Sequence, residues 1–182
     1  MHSTLLRRAV LLAFALCGLL IGSGCSVSKD FEFELQREFA VLYDGTTYAV
    51  TQSVDATQLS DDFDTHQDEI DNVRLLGASY LVTQFTGTAT QEIVSATLKV
   101  GGLSETPTEV VASVSNVNLQ GAAAGEQELT LNDAGKTKVE DLIGAEPFAA
   151  NLSFEGSANE APVNFHIRFT LRMKATYTKK LT

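Results

Sequence analysis

The chain has 182 residues, a formal net charge of −10, no tryptophan and two cysteines, Cys17 and Cys25. Its 23 acidic residues against 13 Lys and Arg argue against the basic patch with which a protein displaces counterions from nucleic acid. Two cysteines are too few for a disulfide framework, and the length fits one domain with a continuous core. In chain order, Met1 to Arg8 carry Arg7 and Arg8 and no acid, and Ala9 to Ile21 are uninterruptedly apolar or small. That run is shorter than the roughly 20 residues a bilayer span needs. Gly22, Ser23 and Gly24 then place small residues directly before Cys25.

This basic, apolar and small-residue succession resembles the signal peptide and lipobox of bacterial lipoproteins, departing from it at Gly22, where leucine is usual. The resemblance covers residues 1–25 only. It implies cleavage before Cys25, a thioether from its thiol to diacylglycerol, and acylation of its new amino group. More than one acyl chain makes such anchoring effectively stable. Ordinary secretory cleavage nearby and an uncleaved anchor helix are the alternatives; Cys17 is a poor acceptor because bulky Leu16 precedes it. Ser26 after the cysteine implies, by the same resemblance, the outer rather than the inner membrane of a Gram-negative envelope. Removing residues 1–24 takes away two arginines and no acid, so the formal charge falls from −10 to −12. Cys25 is then the one remaining cysteine, and no thiol is left for a disulfide, a metal or a nucleophile.

Ser26 to Lys29 read as a short tether, which at about 3.3 Å per residue reaches at most roughly 17 Å. Residues 31–182 read as one β-rich domain. Phe31, Phe33 and Leu35 alternate with polar residues as in a half-buried strand. Asp44-Gly45, between Val41 to Tyr43 and Tyr48 to Val54, signals a β-hairpin. Ser60 to Asn72 read as a short amphipathic helix with Phe63, Ile70 and Val73 on one face. Strands follow at Leu75 to Phe85, at Glu92 to Val100 with Val94, Ala96, Leu98 and Val100 inward, and at Glu109 to Leu119. Gly121 to Gly125 read as a flexible surface loop. A second helix, weakened by Gly135, starts at Asn132 or Asp133, carries Val139, Leu142 and Ile143 at helical spacing and stops at Gly144. Phe148, Ala150, Leu152 and Phe154 mark another strand. From Val163 to Tyr177 every second residue is apolar, as an antiparallel sheet with one buried face requires. These elements predict a mainly β fold: an antiparallel β-sandwich or open barrel of about seven or eight strands, with two short helices.

Chemistry-bearing residues are few. Asp61, Asp62, Asp64, Asp68, Glu69 and Asp71 are the densest oxygen cluster, and Asp62, Asp64 and Asp68 are the candidate metal ligands within it. Aligned as a calcium loop, however, Gln67 falls where glycine is needed and Val73 where a bidentate Glu is needed; acids complementing a helix N-terminus explain the cluster without metal. His66 and His166 lack the spacing of a zinc set and read as surface histidines. Ser26-x-x-Lys29 and Gly135-Lys136-Thr137 match catalytic and phosphate-loop motifs only in fragments. Arg168, Arg172 and Lys174, continued by Lys179 and Lys180, offer either a stripe toward anionic lipid or an acidic partner or, as the plainer reading, the solvated face of a strand with acids on its neighbour. The expectation is a non-enzymatic envelope lipoprotein without a cofactor, bound to membrane through Cys25 and to an envelope protein or lipid partner, with no role in nucleic-acid binding. A lipid or small-molecule carrier with an apolar cavity is the alternative, and an enzyme with an unrecognised site the third reading.

Overall fold

The computed structural model describes residues 26–55, 59, 61–145 and 148–180. The signal segment and Cys25 lie outside them. The strands are β1 (Ser26–Tyr43), β2 (Thr47–Asp55), β3 (Ile70–Phe85), β4 (Glu92–Gly102), β5 (Glu109–Asn118), β6 (Gln127–Leu129), β7 (Ala149–Ala158) and β8 (Val163–Lys180). The helices are α1 (Asp61–His66), followed by a 3-10 turn over Gln67–Glu69, α2 (Leu119–Ala122) and α3 (Asp133–Ile143). No helix among the described residues is long and apolar enough to cross a membrane. One compact unit spans Asp30–Tyr177. Of a second, terminal unit, Ser26–Lys29 and Thr178–Lys180 are described, and there Ser28 Oγ and Thr178 Oγ1 are 3.1 Å apart.

Two four-stranded antiparallel sheets form a sandwich, in the orders β1-β8-β3-β6 and β2-β7-β4-β5. This is the sandwich of the two alternatives the sequence offered. Only β4 and β5 are both consecutive in sequence and adjacent in a sheet; the other connections cross between sheets. Eight strands interleaved in this way make a jelly roll. The expected β1–β2 hairpin is therefore absent: β2 pairs with β7, Thr47 opposite Ser157 through Asp55 opposite Ala149. The tight two-residue hairpin turns need positive φ, and no described glycine, Gly45 included, has it. The chain turns the corner there into the opposite sheet instead.

The core follows from alternation. On β8, Val163, Phe165, Ile167, Phe169, Leu171, Met173, Ala175 and Tyr177 are all buried, as the period of two requires. Phe154 on β7 meets Phe169 at 5.1 Å and Phe39 on β1 at 6.1 Å between ring centroids, so rings from both sheets interdigitate. Each such large side chain contributes roughly 1.5–3 kcal/mol on burial. At the β1–β2 side, Tyr43 Oη donates to the Ala49 carbonyl and Gln52 Nε2 donates to the Glu38 carbonyl at 2.7 Å. Side chains thus occupy backbone acceptors that an incoming strand would use.

Several boundaries differ from the sequence reading. The segment after α1 becomes strand at Ile70 rather than remaining helical to Asn72, because Val73 is needed in the core opposite Ala175. Ser26 to Lys29, read as a tether, belong to β1. Gly121 and Ala122, read as a loop, sit in α2, where Asn118 Oδ1 accepts the Gly121 N–H at 2.8 Å and Ala122 is buried. On β4 the register against β7 shifts between Ile93 and Ser95, a bulge that leaves Val94 exposed and puts Ile93 in the core with Ala96, Leu98 and Val100. Helix α3 begins as expected, with Asn132 Oδ1 accepting the N–H groups of Ala134 and Gly135, and buries Val139 and Ile143. Gly135 is a docking surface: a Cβ there would lie 2.0 Å from the Val110 carbonyl oxygen. Glu140 Oε1 completes the contact by accepting the Leu75 N–H at 2.8 Å.

Candidate functional site

Among the described residues, none of those singled out for chemistry converge. Asp62 and Asp64 lie on α1, but their side chains lie outside the described part of the structure; Asp68 is exposed on the following turn. No group of three or more His, Cys, Asp or Glu among the described residues is arranged to hold a metal. Gly135, Lys136 and Thr137 are inside α3, so their backbone amides are spent on the helix and its cap. His66 is half-buried rather than freely solvated: its ring stacks on Tyr177 at 4.2 Å and 16°, and Nδ1 is 3.5 Å from Glu69.

The two outer sheet faces have opposite character. On the β1-β8-β3-β6 face the basic alternation of β8 is met by carboxylates on other strands of the sheet. Lys174 Nζ is 2.6 Å from Asp30, Arg172 Nη2 is 3.0 Å from Glu128, and His166 Nδ1 is 3.1 Å from Glu38. Hydrogen bonds from His166 and Thr83 hold the Glu38 carboxyl below its ordinary range, and those from Lys174 and Thr176 do the same for Asp30. Lys174, Arg172 and His166 on this face thus each have a carboxylate partner.

The β2-β7-β4-β5 face carries hydroxyls. One row across all four strands reads Thr47, Ser157, Ser95, Ser115, and the next reads Ala49, Glu155, Thr97, Ser113. Their order follows from pairing, since each outward residue recurs every second position and the registers bring them side by side. A groove of about 590 Å³ runs over this face, lined among others by Ala49, Ser95, Thr97, Ser113, Ser115 and Glu155. Of the residues lining it Glu155 alone is charged, and it is ion-paired with Lys99. Ser95 Oγ lies 3.4 Å from Ser157 Oγ and Thr51 donates to Ser153 at 3.2 Å. The hydroxyls of Thr47, Thr97, Ser113 and Ser115 have no side-chain hydrogen bond to any described residue. These positions were not picked out in the sequence, where each serine or threonine is unremarkable alone; register makes the pattern.

At the end of the sandwich holding the β3–β4 and β7–β8 loops, polar side chains form a lock. Gln91, buried, donates to the carbonyls of Glu160 and Pro162 at 3.0 and 2.9 Å. Thr88 and Thr90 donate to the Glu160 carboxylate at 2.7 and 2.8 Å, which keeps that carboxyl below its ordinary range. Every member has an internal partner, so the cluster ties the two loops together.

No family model matches the chain, and no curated protein matches it. Solved structures similar to it include one of desmodium yellow mottle tymovirus, at 11% identity over 86% of this chain and 85% of that one, with a TM-score of 0.39. A nodavirus particle of the giant freshwater prawn Macrobrachium rosenbergii is similar at 6% identity over 86% and 97% of the two chains, with a TM-score of 0.38. The acid-stable capsid of Helicobacter pylori bacteriophage KHP30 is similar at 9% identity over 85% and 100%, also at 0.38. Likenesses at these scores carry nothing about what the chain does, and the jelly-roll description rests on its own strand order.

Proposed function

We propose that the chain is an envelope lipoprotein, lipid-anchored through Cys25 to the outer membrane, whose β-sandwich has a non-enzymatic binding or structural role. The observation that supports the binding or structural half of this reading, against the carrier alternative, is the filled core among the described residues. Between Leu35, Val54, Val100, Ile143, Phe148 and Leu171, where the sheets and α3 meet, the internal space is about 10 Å³, about the threshold for one water. A carrier pocket is typically some 300–1,000 Å³. The anchor rests on the leader and on Cys25.

The test is intact-mass measurement of the protein from membrane fractions beside a Cys25→Ala variant. The expected product begins at Cys25 with added diacylglyceryl and acyl mass, and the variant loses membrane attachment. An unlipidated full-length chain in the membrane fraction would overturn the anchor; co-purification of a stoichiometric lipid extractable from the folded domain would overturn the non-carrier role.

A further inference from the structure

We infer that the hydroxyl face of the β2-β7-β4-β5 sheet binds an uncharged glycan chain laid across the strands. This deepens the proposed binding role by naming its partner class; it rests on that role and not on the anchor. Three features of the face point to this chemistry.

The first is unspent hydrogen-bonding capacity. Each hydroxyl offers one donor and two acceptor sites, and those of Thr97, Ser113 and Ser115, which line the groove, are not used by other described side chains. Neighbouring strands lie about 4.8 Å apart, so a polymer crossing them meets a hydroxyl at each strand in one row, Ser115, Ser95, Ser157 and Thr47, and in the next meets the hydroxyls of Ser113 and Thr97 and then the Glu155 carboxylate, an acceptor only.

The second is charge. The protein as a whole carries −10, yet the one charged side chain lining this groove, Glu155, is paired with Lys99 beside it. An anionic polymer would gain nothing from that pair and would be repelled by the molecule. A cationic one would find its carboxylate already engaged by Lys99. A neutral ligand dense in hydroxyl or amide groups is what the surface complements.

The third is shape. The groove runs over the face of four strands, whereas an extended peptide adds by main-chain pairing along an edge, and on the β2 edge the Ala49 carbonyl is taken by Tyr43. Val114 is the largest aliphatic residue lining the groove, too little for an acyl chain. Tyr48, its one aromatic residue, is buried, with its ring packed on Phe154 and Phe165 in the core. Binding therefore rests on hydrogen bonds in an open site, which predicts weak, rapidly reversible affinity strengthened by repeat units.

The experiment uses the full processed chain in detergent micelles on an array of neutral, acidic and basic glycans, followed by titration with cellohexaose and chitohexaose as uncharged probes. Retention of neutral glycans, titration with at least one of the two probes, and a loss of about tenfold or more in affinity for Thr97→Val/Ser113→Val are the expected results. The β-branched replacements suit a strand, so the variant's circular dichroism should match the parent. Glu34→Gln, on the other sheet, should leave the affinity unchanged. Absence of any neutral-glycan binding, retention of charged glycans alone, or affinity indifferent to the double variant would overturn the inference. If glycan binding fails while Cys25 proves lipidated, the partner class falls and the anchored role stands; binding without lipidation is the reverse outcome.

Discussion

Arg172 on β8 reaches Glu128 on β6 by passing over Gly77 on the strand between them. Its Nη2 is 3.1 and 3.0 Å from the two carboxylate oxygens, and a Cβ added at Gly77 would lie 2.8 Å from that same nitrogen. Because the obstructed atom is the far end of a flexible side chain, Gly77→Ala is expected to fold and to displace only the guanidinium. The pair is exposed, so its loss should cost at most about 1 kcal/mol. A double-mutant cycle pairing Arg172→Gln with Glu128→Gln should show the Arg172–Glu128 coupling vanish in the Gly77→Ala background; a coupling that persists would mean the arginine has another route.

Gly135 is the contrasting case, since the atom it would strike is backbone. Ala is the better helix former by about 1 kcal/mol, so a helix-propensity argument predicts that Gly135→Ala stabilises α3. With Val110 O at 2.0 Å from the new Cβ, α3 must instead lift from β5, at a cost of roughly 1–3 kcal/mol for overpacking. Urea denaturation decides between the two, and a raised midpoint would refute the close approach.

Tyr48 Oη is buried without a hydrogen-bond partner, and burial pushes its ionisation well above the ordinary phenol range. The ring itself is well used against Phe154 and Phe165. Tyr48→Phe keeps the ring and removes the orphan hydroxyl, so stability should stay level or rise by about 1 kcal/mol. A drop of that size on thermal unfolding would reveal a partner for the hydroxyl.

Acid should weaken the fold through particular carboxylates. Hydrogen bonds from His166 and Thr83 lower the Glu38 pKa in the folded chain, and Lys174 and Thr176 lower that of Asp30. A depressed folded pKa means that the unfolded chain binds the proton more readily. The stabilisation is therefore complete above the unfolded carboxylate range, near pH 4, and is lost as pH falls through the folded values. Urea midpoints measured from pH 7 to pH 2 should decline below about pH 4–5, and Glu38→Gln should flatten part of that slope. An unchanged slope would remove Glu38 from the account.

What could be read in the sequence was whatever a single strand declares by itself. β8 alternates without interruption because one of its faces packs wholly into the core, and β7 announced Ala150, Leu152 and Phe154 for the same reason. Long-range pairing was not legible. Asp44-Gly45 is a local hairpin signal, but the partner of β2 is β7, about a hundred residues later, and nothing near Gly45 encodes that. The bulge at Val94 inverts an apparently regular alternation, and β6 is three residues long, too short for any period. The hydroxyl groove was invisible for a related reason: its serines and threonines are scattered over strands and become neighbours only through register.

The interleaved strand order also sets when structure can exist. β8 lies between β1 and β3, so those two strands have no central partner until residues 163–180 are made. Folding of that sheet must wait for β8, and closure over such long loops is slow. Under the proposed export route this delay is useful, because a polypeptide threading through a translocation pore has to remain unfolded until it has crossed. Removal of β8 should therefore leave a chain that is exported but never matures into a protease-resistant domain.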